Sequence, residues 1–75
     1  MEDFIIKIIR ELTFSSVTST DSLWKDNILD SITIVELVVE LEREYNISIP
    51  FNEIVTENFE TVERISKYMV SKIGK

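Results

Sequence analysis

The chain has 75 residues, with 14 acidic and 8 basic side chains, a net charge of −6, and neither histidine nor cysteine. This composition predicts one small domain over residues 1–75, without disulfides, cysteine–histidine metal sites, thiolate nucleophiles or imidazole bases, and so no enzyme acting alone. The acidic balance also disfavours nucleic-acid binding, because the phosphate backbone is itself negative. No apolar run exceeds three residues, whereas a membrane-spanning helix needs about 20. We therefore expect a cytoplasmic monomer that does not insert into membranes.

The negative charge is concentrated in the middle of the chain. Residues 30–63 contain nine acids and one base, whereas residues 64–75 contain four bases and no acid. A cationic partner would therefore be attracted to the middle segment.

The first predicted helix runs from about Asp3 to Leu12, because its apolar side chains recur at helical spacing on one face. The apolar positions are Phe4, Ile5, Ile8, Ile9 and Leu12. Residues 13–30 are rich in serine, threonine and aspartate and predict a long loop. Its apolar residues exceed what a disordered linker carries, so we expect the loop to lie on the bundle, with Trp24 as its anchor. These residues are Phe14, Val17, Leu23, Trp24, Ile28 and Leu29.

The second predicted helix runs from about Ser31 to Tyr45, with Asp30 or Ser31 as its N-cap and no glycine or proline inside it. One apolar stripe is sufficient to face a core. It consists of Ile34, Leu37, Val38, Leu41 and Tyr45. A second apolar line, Ile32, Val35 and Val39, is displaced toward another face. This surplus apolar surface predicts contact with something outside the core.

The rest of the chain predicts a break and two further helices. Residues 46–50 form the break, with Asn46 able to take a left-handed cap conformation, and a short helical turn is predicted near 52–56. Thr61 is the predicted N-cap of a last helix that ends near Ile73, followed by Gly74 at the C-cap. The predicted core positions of this helix are Val62, Ile65, Met69 and Ile73. The fold class is therefore all-α, a small four-helix bundle of three longer helices and one short one.

Ser31 is the candidate for chemistry. A hydroxyl in the first turn of a helix is exposed, and the backbone amides and helix dipole there stabilise a phosphate ester attached to it. Asp30 beside it could fix an incoming donor or a metal through its charge. Aspartate and serine are also the most frequent N-caps, so a pair of this kind alone is structural far more often than functional. The surrounding pattern adds weight, because acids follow at Glu36, Glu40 and Glu42.

The segment around Ser31 resembles a known family. Residues 29–37, Leu-Asp-Ser-Ile-Thr-Ile-Val-Glu-Leu, followed by Leu-Glu-Arg-Glu-Tyr at 41–45 and Ile49-Pro50, are similar to the phosphopantetheine-attachment region of acyl carrier proteins. The Leu-Asp-Ser form is similar to that of D-alanyl carrier proteins and other freestanding carriers. Ile28 and Thr33 stand where the family often has glycine and an acid, and Arg43 interrupts the acidic run, so we expect a specialised, pathway-dedicated carrier.

The resemblance implies a cofactor, partners and site residues. Ser31 would carry covalent 4'-phosphopantetheine, transferred from coenzyme A by a phosphopantetheinyl transferase, with Asp30 as the preceding acid. The thiol of the arm would hold acyl or aminoacyl groups as thioesters, loaded by a ligase and passed to a downstream synthase or transferase. The second helix would be the docking face. The implied partner-binding residues are Ile32, Val35, Glu36, Val39, Glu40 and Glu42.

Three alternatives remain open at this point. The line Ile32, Val35 and Val39 could serve an interaction module that carries no prosthetic group. The acids on the second helix could equally form a solvated face with no partner. Catalysis by two carboxylates would need a cleft, for which so small a bundle has little room.

Overall fold

The computed structural model describes residues 1–25 and 28–74, and within these residues it contains four α-helices and one 3-10 turn. The helices are α1 (Glu2–Thr13), α2 (Ser31–Tyr45), α3 (Thr56–Phe59) and α4 (Val62–Ile73), and the 3-10 turn is Phe51–Glu53. The predicted all-α bundle with three longer helices and one short one is confirmed, as is the long loop between α1 and α2. None of the helices in the described part of the chain has the length and apolar character needed to cross a bilayer.

Capping residues mark the ends of α2 and the start of α4. Asp30 is the N-cap of α2 in an extended conformation, and Asn46 ends α2 in the left-handed conformation with φ 53°. At α4, the Thr61 hydroxyl accepts a hydrogen bond from the Arg64 amide at 3.1 Å. The single short turn predicted near residues 52–56 is wrong in detail, because the extended Val55 separates the 3-10 turn from α3.

The core lies where the three longer helices meet, and α3 adds Phe59, which is fully buried. The buried positions of the longer helices are Ile5, Ile8, Ile9, Ile34, Leu37, Val38, Leu41, Val62, Ile65 and Met69. These match the predicted apolar faces, because helical spacing places such side chains on one side of each helix. At the edges, Phe4, Leu12 and Tyr45 are only half-buried, and Ile73 in the last turn of α4 is exposed rather than in the core.

The long loop is fastened to the junction between α3 and α4. The Leu23 amide donates to the Glu60 carbonyl at 2.8 Å, and the Leu29 amide donates to the Leu23 carbonyl at 2.8 Å. The Trp24 indole Nε1 donates to the Phe59 carbonyl at 2.9 Å. Val17, Leu23 and Leu29 are buried, so the prediction that this loop contributes to the core is confirmed, with Trp24 as its anchor. Through Leu23, these bonds connect Leu29, the residue before the N-cap of α2, to the α3–α4 junction.

Phe14 does not follow that prediction. It is 93% exposed and adopts the left-handed conformation, φ 60° and ψ 18°, at the residue that ends α1. Its amide closes the helix by donating to the Arg10 carbonyl at 2.8 Å. The expectation that Phe14 joins the core was wrong, because the chain turns out of α1 at this residue and leaves the ring in solvent.

Candidate functional site

The first residue of α2 presents a free hydroxyl. Ser31 is exposed, and its side chain makes no hydrogen bond with any residue among 1–25 and 28–74. Four buried residues on the other face of the same helix hold α2 against the core. The hydroxyl is therefore open to solvent while the backbone that carries it is fixed.

Asp30 caps the helix on which Ser31 lies. Its Oδ1 accepts from the Thr33 amide at 2.7 Å and from the Ile32 amide at 3.1 Å. Hydrogen bonding from Thr33, first through its backbone amide, lowers the pKa of Asp30 below its ordinary value of 3.8, because these bonds favour the carboxylate. Asp30 thus satisfies two amides of the first turn and leaves the Ser31 hydroxyl without a competing bond.

We expect low pH to lower the stability of the fold, because the Asp30 carboxylate becomes protonated. A carboxylate whose pKa is lower in the folded than in the unfolded state stabilises the fold above the unfolded pKa, and this contribution is lost as pH falls. Asparagine caps a helix as well as aspartate does but does not titrate. We therefore expect the melting temperature of the wild type to fall more steeply than that of Asp30→Asn between about pH 5 and pH 2. Parallel melting curves for the two proteins would show that Asp30 does not contribute in this way.

The second apolar line of α2 faces solvent. Ile32 is 70% exposed, Val35 49% and Val39 42%. The bundle therefore leaves this line uncovered, as the sequence predicted. Its use by a partner stays a prediction.

Part of this line borders a groove between α1 and α2. The groove has a volume of about 270 Å³ and is lined by Leu12, Val35, Glu36, Val39 and Glu40. Three of these side chains are apolar and two are acidic. Leu12 was predicted only as a core residue. No sequence signal marks this role, because the place of Leu12 beside the groove depends on the packing of α1 against α2.

The three acids proposed for partner contact differ in their surroundings. Glu36 is exposed and forms no hydrogen bond or ion pair within the described residues. Glu40 pairs with Arg43 at 3.2 Å, an exposed pair of the kind that contributes little to stability. Glu42 is half-buried, and its Oε2 accepts from the Ile49 amide at 2.8 Å. Glu42 thus holds the connection after α2, whereas Glu36 is free to meet a partner.

The start of α2 fits a covalent attachment. A serine that carries a long phosphate-linked group must be reachable by the modifying enzyme and must have room for the substituent. The exposed hydroxyl of Ser31 meets both requirements, and the positive end of the α2 dipole favours an anionic ester there. Asp30 already occupies the amides of Ile32 and Thr33, so the fit comes from access and from the dipole rather than from free amides.

Comparison with known protein families shows to which family the chain belongs. A family model described as "Phosphopantetheine attachment site" matches residues 21–69, a segment that includes Ser31. The chain belongs to this phosphopantetheine-attachment family. The family carries covalently attached 4'-phosphopantetheine, and its members are carriers rather than catalysts. The predicted family and cofactor and the prediction that the protein is not an enzyme are therefore confirmed.

Curated relatives within the family are D-alanyl carrier proteins. The protein from Streptococcus suis is 36% identical over 67 residues, which cover 87% of this chain and 85% of the relative. The one from Streptococcus mutans is 35% identical over 63 residues, covering 81% and 80%, respectively. The one from Streptococcus pyogenes serotype M5 is 33% identical over 67 residues, covering 87% and 85%. The predicted similarity to D-alanyl carriers is confirmed over most of the chain.

Proposed function

We propose that Ser31 carries the 4'-phosphopantetheine arm and that the protein presents aminoacyl or acyl groups on that arm to partner enzymes. The matched segment contains four serines. Ser22 is half-buried and accepts from the Lys25 amide at 3.3 Å, and Ser66 is half-buried inside α4. Ser48 is exposed but lies in the connection after α2. The observation that carries the proposal is the exposed, unbonded hydroxyl of Ser31 at the first residue of a long helix.

In this proposal the residues of the chain position the arm and catalyse no reaction themselves. The buried face of α2 fixes the backbone of Ser31, and Asp30 holds the first turn through Ile32 and Thr33. When bound, the arm supplies a terminal thiol on which a carboxylic acid can be held as a thioester. The chain itself has no cysteine, so no competing protein thiol is present.

The D-alanyl carrier relatives support an aminoacyl cargo. We propose D-alanine as the first cargo to test, with attachment of the arm by a phosphopantetheinyl transferase and loading by an ATP-dependent ligase. A downstream transferase or synthase would receive the aminoacyl group. The proposal places the protein in the cytoplasm, because coenzyme A, the donor of the arm, is an intracellular metabolite. We also propose that the protein acts as a monomer.

The exposed face of α2 is the proposed docking surface for these enzymes. Ile32, Val35 and Val39 offer apolar contact, and Glu36 and Glu40 offer negative charge to basic patches. We retain Glu42 as a proposed partner residue of lesser weight, because its carboxylate already accepts from Ile49. The family assignment favours this carrier over an interaction module without a prosthetic group.

The attachment step is tested by intact mass. The apo protein is incubated with coenzyme A, magnesium and a broad-specificity phosphopantetheinyl transferase, and peptide mapping locates the modified residue. We expect a gain of one phosphopantetheinyl group on the peptide that contains Ser31. A protein that stays unmodified while a known carrier in the same reaction is converted would contradict the proposal.

The cargo is tested on the modified protein. The holo protein is incubated with ATP, D-alanine and a ligase that loads a D-alanyl carrier protein, with L-alanine in a parallel reaction. We expect a second mass gain with D-alanine that is removed by neutral hydroxylamine, as a thioester requires. Attachment of the arm without any D-alanine loading would leave the carrier role in place and reject the aminoacyl cargo.

A further inference from the structure

The long loop forms a polar pocket at the end of the bundle where α2 begins. The rings of Phe4 and Tyr45 are in edge contact, with centroids 5.8 Å apart, and Leu12 borders the groove beside Val35. Helices α1 and α2 are therefore antiparallel, and the loop leaves α1 and enters α2 at the same end. The pocket has a volume of about 450 Å³, and we call it the loop pocket. Its lining residues are Ser16, Thr20, Asp21, Ser22, Lys25 and Ile28.

Hydrogen bonds hold the wall of the loop pocket in place. The Ser22 hydroxyl accepts from the Lys25 amide at 3.3 Å. The Glu63 amide in the first turn of α4 donates to the Ser19 carbonyl at 3.0 Å, which ties the middle of the loop to the bundle. The pocket is therefore formed by the fold before any ligand enters, as is usual for small-molecule sites.

The lining groups suit an uncharged ligand that both donates and accepts hydrogen bonds. The Lys25 ammonium forms no ion pair or hydrogen bond in the part of the chain that the structure describes. The Asp21 carboxylate, which accepts from the Thr18 amide at 2.8 Å, offsets the positive charge of Lys25. The other lining groups are hydroxyls, which donate and accept, and one apolar side chain. A pocket without net charge favours neither a free anion nor a cation.

The arm proposed for Ser31 has this chemistry between its two ends. Beyond the phosphate ester, 4'-phosphopantetheine is uncharged and carries a hydroxyl, amides and paired methyl groups before its thiol. Ile28 precedes Ser31 by three residues, so their Cα atoms lie within about 11 Å of each other, a span that the extended arm exceeds. The volume of the loop pocket, about 450 Å³, also lies in the range of roughly 300–1,000 Å³ that is common for small-molecule sites.

Attachment to Ser31 makes weak contacts sufficient. A tethered group meets the pocket as an intramolecular ligand, at an effective concentration on the order of millimolar for a short flexible linker. A few hydrogen bonds then hold a group that would bind poorly if it were free in solution. Contacts of this strength also leave the arm available to partner enzymes.

We propose that the loop pocket binds the pantetheine portion of the arm on Ser31 while the carrier is between partners. Lys25 and the loop hydroxyls hydrogen-bond the amide and hydroxyl groups of the arm, and Ile28 packs against its methyl groups. This inference rests on the proposed function and assigns the resting position of the arm to the loop before α2. The exposed face of α2 is then left uncovered for partner enzymes.

The test is NMR spectroscopy of the isotope-labelled holo protein with an unlabelled arm. We expect nuclear Overhauser contacts from the methyl groups of the arm to Ile28 and Thr20, with amide shift changes in residues 16–25 relative to the apo protein. Lys25→Ala should lose most of these contacts and keep the wild-type melting temperature, because the Lys25 side chain is exposed and unbonded within the described residues. Lys67→Ala is the matched control, since Lys67 is an exposed lysine of α4 outside the pocket, and it should keep the contacts.

Three outcomes would overturn the inference. An attached arm with contacts only elsewhere on the protein, or with none, would show that the loop pocket is not its site. Contacts that persist at full strength in Lys25→Ala would show that the ammonium does not hold the arm. The same amide shift changes on addition of inorganic phosphate to the apo protein would assign the pocket to anions. Failure of the transferase to modify the protein would instead reject the proposed function, so the two failures are distinguishable.

Discussion

Ser31→Ala is expected to abolish attachment of 4'-phosphopantetheine completely. The substitution removes the hydroxyl oxygen that would form the phosphate ester, and no neighbouring side chain can replace it at the same position. Stability should change by no more than about 0.5 kcal/mol, because the Ser31 side chain is exposed and forms no hydrogen bond within the described residues. The measurement is intact mass after the transferase reaction, together with a thermal melt of the unmodified protein.

Ser48→Ala is the matched control for this experiment. Ser48 is also exposed and lies within the matched segment, but it is in the connection after α2 rather than at a helix start. We expect Ser48→Ala to be modified as fast as the wild type. An adduct that persists in Ser31→Ala, or one that disappears in Ser48→Ala, would move the attachment site away from the start of α2.

Phe59→Ala is expected to remove most of the stability of the fold. Phe59 is fully buried, and the centroid of its ring lies 5.5 Å from that of Tyr68. Its backbone carbonyl accepts a hydrogen bond from the Trp24 indole. Truncation of a buried phenylalanine costs about 3–5 kcal/mol, whereas a small domain has a total stability near the lower end of about 5–15 kcal/mol. We expect a broad or absent thermal transition and a urea midpoint close to zero.

Phe51→Ala tests whether burial of the ring is the reason that Phe59→Ala destabilises the fold. The residue type and the substitution are the same, but Phe51 is 84% exposed. We expect its free energy of unfolding to stay within about 0.5 kcal/mol of the wild type. Similar losses for Phe51→Ala and Phe59→Ala would show that the environment of Phe59 does not govern its contribution.

Helix α2 is the element that local sequence determines most completely. Its bounds, Ser31–Tyr45, agree with the prediction because an aspartate precedes a run without glycine or proline, and Asn46 follows it. Its two apolar faces were also predictable, because helical spacing separates Leu37 and Leu41 from Val35 and Val39. The exposed start of this helix, where the candidate site lies, follows from the same local signals.

Features that depend on the path of the chain were not predictable from sequence. Nothing local shows that Phe14 would end α1 in a left-handed conformation, since glycine or asparagine is the usual signal. The bond from the Ile49 amide to Glu42 spans a chain reversal after α2, so a side chain that looked like part of an acidic face is held inward. Leu12 borders the groove only because α1 packs beside α2. Each of these outcomes is decided by tertiary contacts rather than by periodicity.

The fluorescence of Trp24 can report on the position of the long loop, because its indole bonds to the Phe59 carbonyl. Trp24 is the only tryptophan in the sequence, so its fluorescence arises from one half-buried ring at the seam between the long loop and the α3–α4 junction. If the loop separated from the α3–α4 junction, the ring would be exposed to water and its emission would shift to longer wavelengths. The docked state of the loop can thus be followed without a label while cargo is added or withdrawn.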